Sequence, residues 1–74
     1  MSGNSIEKLV RMANDISNFF NADPDKTIAV EGVKNHISRS WETRMRQQII
    51  DHLKNHDGEG LSPLAKTAIS QITV

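Results

Sequence analysis

His36-Ile37-Ser38-Arg39-Ser40-Trp41-Glu42-Thr43-Arg44-Met45-Arg46 contains the single tryptophan of the chain, set among basic side chains. Reading backwards from it, Trp41, Ile37, Val33 and Val30 recur at three- and four-residue steps, the spacing of one helix face, with Ala29 and His36 beside them. Reading forwards, Glu42-Thr43 offers a break and a new N-cap, after which Met45, Ile49, Ile50 and Leu53 resume the helical period. The stretch is therefore a helix, a break and a second helix. That pattern decides for an all-α chain. Gly32 falls inside the first of these helices, where glycine costs up to about 1 kcal/mol relative to alanine, which suggests a close approach of a neighbouring helix, the favoured reading, or a slight weakness there.

Upstream, Ile6, Leu9, Val10, Ala13, Ile16 and Phe20 form another helical stripe, flanked by Phe19. Asn4 followed by Glu7 resembles a capping box, which puts the start near Ser5. Glu7, Arg11 and Asp15, spaced by four, are best explained as a solvated charged face. Asn21-Ala22-Asp23-Pro24 ends the helix, with Asp23 expected to cap the next one and Pro24 to occupy its first position. Downstream, the helix after Trp41 is expected to fade near Asn55. His56-Asp57-Gly58-Glu59-Gly60 then reads as a loop, because glycine permits the positive φ that helix ends require. Ser62-Pro63 starts a fourth helix with Leu61, Leu64, Ala68, Ile69 and Ile72 as its stripe, and Thr73-Val74 as a frayed end. Four short amphipathic helices joined by tight connections predict a small irregular or orthogonal bundle, one domain over residues 1–74.

The composition narrows the function. A chain of 74 residues buries only about 60% of its unfolded surface, which leaves little room for a deep catalytic cleft. Its stability is expected to be about 4 to 11 kcal/mol. There is no cysteine, hence no disulfide and no thiolate metal site. Nine Lys plus Arg balance nine Asp plus Glu, so the net charge provides no general attraction to nucleic acid or to an anionic membrane. The N-terminal residues lack an apolar signal region, and no run is long enough to span a bilayer; a cytoplasmic protein is expected.

Few residues point to chemistry. His52 and His56 are four apart, with His36 imaginable as a third metal ligand, but His56 falls where the helix dissolves into the loop. Ordinary surface histidines are the better reading. The serines sit mostly at caps or on helix surfaces, and Asp23 and Asp25 flank a proline turn as helix-start residues do. Gly58-Glu59-Gly60 carries an acid where a phosphate cradle would not. The basic corner is more informative: Lys34, Arg39, Arg44 and Arg46 face the single acid Glu42, a local excess of three positive charges. Tryptophan and arginine are enriched at protein–protein hot spots, whereas a DNA-reading module has a broader basic footprint. For Trp41 the residues leave core and interface both open.

Two stretches resemble a known family. Lys8-Leu9-Val10-Arg11-Met12-Ala13-Asn14-Asp15-Ile16, continuing to Phe19-Phe20, is similar to the opening of the delta subunit of cytoplasmic, NAD-dependent, molybdenum-containing formate dehydrogenases. His36, Ile37, Trp41, Arg44 and Met45 match that family's second motif, and the glycine-rich loop with Leu61-Ser62-Pro63-Leu64 resembles its ending. The chain departs at Ser40, where the family has an aromatic, and at Glu42-Thr43 in place of Asp-Pro. The resemblance implies an accessory, non-catalytic subunit that docks on the formate dehydrogenase catalytic subunit and supports its assembly, stability or cofactor maturation. The molybdopterin, iron–sulfur clusters and FMN of the complex, and its NAD site, would then belong to the other subunits and none to this chain. Trp41, Arg44 and Met45, with His36 beside them, are the expected partner-binding residues, and Arg39 and Arg46 the rim charges. A nucleic-acid-binding or regulatory helical module is the alternative; an autonomous enzyme has the least support.

Overall fold

The stripes and breaks of the sequence become four helices: α1 (Asn4–Phe20), α2 (Lys26–Ser40), α3 (Thr43–His56) and α4 (Pro63–Ser70). The computed structural model describes residues 4–73, with side chains from Ile6 onward, and among these there is no strand. The Asn4 side chain of the expected capping box and Val74 of the expected frayed end lie outside the described residues.

Helix α1 ends as its last turn closes, with the Asn21 N–H donating to the Ser17 carbonyl at 2.8 Å and that of Asp23 to Phe20 at 3.0 Å. The start of α2 corrects the sequence reading. The cap is Asp25, not Asp23: its carboxylate accepts from the Thr27 N–H at 2.9 Å and from Ile28 at 3.4 Å. Asp23 instead accepts from the Asp25 N–H at 2.9 Å, turning the chain around Pro24, which precedes the helix. A start at Pro24 would add helical residues with no apolar side chain to bury. Helix α2 stops at Trp41, whose backbone is extended (φ −93°, ψ 140°) while its N–H still bonds the Ile37 carbonyl. Thr43 opens α3, and Glu42 holds the cap position without a side-chain cap bond.

At the end of α3, Asp57 turns left-handed (φ 59°) and Gly58 follows at φ 66°. The Gly58 N–H reaches back to the His52 carbonyl at 3.1 Å, a backbone closure that uses carbonyls left free at the helix end. Ser62 caps α4 through its Oγ, which accepts from the Ala65 N–H at 3.2 Å, and Pro63 is the first helical residue. The side chain of Asn14 holds this turn to α1. Its Nδ2 donates to the Gly60 carbonyl at 2.9 Å, and its Oδ1 accepts from the Ser62 N–H at 2.9 Å.

Helices α1 and α4 each pack against all three others, whereas the consecutive helices α2 and α3 barely meet beyond their junction. The core joins Leu9 and Ala13 of α1, Val33 and Ile37 of α2 with Trp41, Ile49 of α3, and Leu61, Ala65, Ala68, Ile69 and Ile72. Ala29 is equally buried. The apolar periodicity overlooked one position on the α1 face: Ser17, in line with Leu9 and Ala13, is buried. Its hydroxyl is satisfied by the Ala13 carbonyl at 2.9 Å, which removes the cost of burying it. Gly32 marks a close approach, as expected: the Phe20 ring lies over it, so close that an added Cβ would sit 2.9 Å from the ring's Cγ.

Candidate docking surface

The junction between α2 and α3 turns on Trp41. A tryptophan brings a large apolar area, and here it is spent inside the molecule, only 4% exposed in the core cluster. The indole therefore presents almost no surface to a partner. Met45, one turn into α3, is half-buried and packed against the same cluster.

Arg46 is held by the fold. Its guanidinium bonds the Trp41 carbonyl, reaches the Ser38 carbonyl at 3.2 Å and meets the Thr43 Oγ1 at 3.2 Å. The last carbonyls of a helix lack intrahelical partners and carry the negative end of its dipole, so a cation there both satisfies and stabilises them. Arg46 is half-buried and closes α2 from the first turn of α3. By contrast Arg39, Arg44 and His36 are exposed. The structure thus divides the six residues: Trp41, Met45 and Arg46 build the junction, and His36, Arg39 and Arg44 stand outside it.

Beside the junction, on the face of α2 turned toward the end of α1, is a surface hollow of about 340 Å³. Phe20 lines it from α1, and Gly32, Asn35, His36, Arg39 and Ser40 line it from α2. Next to it Phe19 projects into solvent, 76% exposed, its ring edge-on to Phe20 at 5.1 Å between centroids. Periodicity places Phe19 off the Leu9–Ala13–Ser17 line, which is why it is not core; nothing in the spacing says what a solvated phenylalanine is for. Among the described residues Ile28, 54% exposed at the start of α2, is the other large apolar side chain left outside.

The rings of His52 and His56 are 5.7 Å apart, but the His52 Nε2 is engaged with the Glu59 carbonyl at 2.8 Å, tying the loop to α3. Among the described residues no three His, Asp or Glu side chains cluster in a way that could hold a metal ion. None of the described helices is long and apolar enough to cross a membrane.

Compared with known families, the chain matches the model described as the NADH-dependent formate dehydrogenase delta subunit, FdsD, over residues 8–69. That span runs from the first turns of α1 to the last core residue of α4. No curated protein and no solved structure matches it.

Proposed function

The chain belongs to the delta-subunit family of NADH-dependent formate dehydrogenases, and on that premise we propose that it is a non-catalytic accessory subunit, working in the cytoplasm. It docks on the catalytic subunit and supports the assembly, stability or cofactor maturation of the complex. The observation that carries this is the family match through all four helices, joined to a surface whose exposed groups are aromatic and basic. Such groups suit recognition of another protein. The chemistry of the complex is assigned to the partner subunits, which would hold the molybdopterin, iron–sulfur clusters and FMN and bind NAD. A cysteine-free chain has no thiolate with which to ligate an iron–sulfur cluster.

Within this reading Arg44 and Arg39 meet the partner and steer its approach, His36 lies at the edge of the contact, and Trp41, Met45 and Arg46 shape the junction beneath. The test is to produce the formate dehydrogenase subunits with and without this chain. Assembly support requires that omission lower the recovered complex, its molybdenum content or its thermal half-life. Equal values for all three would refute it.

A nucleic-acid module is the second reading, motivated by the same basic corner. It loses one of its four charges, because Arg46 is committed to the end of α2. Titration with duplex DNA separates the two, since phosphate contacts weaken steeply with salt. No binding at low salt removes this reading.

A further inference from the structure

Phe19 is exposed and stands edge-on against Phe20, and Phe20 is seated on Gly32. An exposed aromatic offers a large contact area with only two rotatable bonds to order on contact, which suits such a side chain as an anchor. The adjoining hollow is apolar on the Phe20 side and lined by donors on the other, from Asn35, His36, Arg39 and Ser40, with no acidic side chain in its lining. In a chain of zero net charge, a hollow bordered by an exposed arginine and no carboxylate is a local selection for negative charge. The larger groove between α3 and α4, about 510 Å³, also carries one cation and no carboxylate, but no aromatic side chain lines it. It is bordered by core residues Ile69 and Ile72, and Lys54 is its only charged side chain.

We infer that the Phe19–Phe20 edge and the Arg39 hollow form the docking face of this protein, and that its occupant is an acidic, apolar-bearing segment of a formate dehydrogenase subunit. The inference rests on the proposed docking role and adds the face and the partner's chemistry. An apolar side chain of that segment packs over Phe20 and against Phe19. A carboxylate beside it takes the paired N–H groups of Arg39, a geometry that a guanidinium matches and an ammonium does not. Trp41 contributes by setting where α2 ends, and hence where Arg39 and Ser40 point.

The experiment uses the full chain with the purified formate dehydrogenase subunits. Binding is measured for wild type, Phe19→Ser and Arg39→Glu, with urea unfolding of each free protein as a control. A photoreactive phenylalanine analogue is placed at position 19 in one sample and at position 54, on the α3–α4 groove, in another. The expected result is weakening of about tenfold or more for each variant at an unchanged unfolding midpoint. Crosslinks from position 19 should map to an acidic segment. Wild-type affinity for both variants, with crosslinks only from position 54, overturns the docking face and leaves the docking role intact. Weakening by Phe19→Ser alone overturns the acidic character of the occupant. Failure of the wild-type chain to bind removes both the inference and the role on which it rests.

Discussion

The guanidinium of Arg46, in the first turn of α3, bonds the backbone carbonyl of Trp41, the residue that closes α2. Two helices that hardly touch elsewhere are joined at their junction by this contact. Replacing Arg46 with alanine removes a charge-assisted bond and leaves the Ser38 and Trp41 carbonyls to water, a loss of about 1 to 2 kcal/mol. Lysine should restore only part, since one ammonium cannot span the two carbonyls and Thr43 as the fork does. Urea unfolding reads both; an Arg46→Ala midpoint equal to wild type would contradict the role.

Asn14 acts over a longer distance in sequence. Its amide joins α1 to the turn before α4 through Gly60 and Ser62. Asn14→Ala should cost about 1 to 2 kcal/mol, because the half-buried Ser62 N–H loses its partner while the exposed Gly60 carbonyl turns to water. Asn14→Asp keeps the acceptor for Ser62 and loses the donor to Gly60, so it should fall between. Hydrogen exchange at the Ser62 amide should quicken in Asn14→Ala and stay slow in Asn14→Asp.

Gly32 and Phe20 should be energetically coupled. Alanine at position 32 gains helix propensity, yet its Cβ meets the Phe20 ring and displaces it. We expect Gly32→Ala to be net destabilising by about 1 kcal/mol and to become stabilising when Phe20 is also alanine. Additive effects in the double-mutant cycle would show that the ring moves aside without cost.

Trp41→Ala should remove about 3 to 5 kcal/mol by leaving a cavity in the core. Against a total of about 4 to 11 kcal/mol this brings the chain close to unfolding at the low end. Any loss of partner binding in that variant should be accompanied by a lowered thermal midpoint. Lost binding with an undiminished midpoint would instead put the indole in the interface.

The helices were legible because their boundaries are local. Ser62-Pro63 announces α4, and the apolar steps from Ala29 to Trp41 define the inward face of α2. The cap of α2 was misplaced by two residues because Asp23-Pro24-Asp25 offers two carboxylates around one proline. Which of them caps depends on how α1 hands the chain over. Ser17 and Arg46 escaped for a different reason. A serine in the core and an arginine closing a neighbouring helix are defined by groups elsewhere in the chain, and neither spacing nor composition records them. Phe19 was visible as lying off the apolar stripe, but its support by Phe20 on Gly32 appears only in three dimensions. In the sequence the second motif has the residue types of a docking site. The structure gives its Trp41 and Met45 to the packing of the junction and leaves Arg44 and His36 at the surface.

The central claim is that this chain binds the catalytic assembly of a formate dehydrogenase. Sedimentation velocity of the purified chain, 8.3 kDa, mixed with an intact assembly lacking it tests this most directly. The chain should move with the assembly at moderate salt, and the Phe19→Ser variant should stay behind at its own rate. Wild-type chain sedimenting alone beside an intact, active assembly would contradict it.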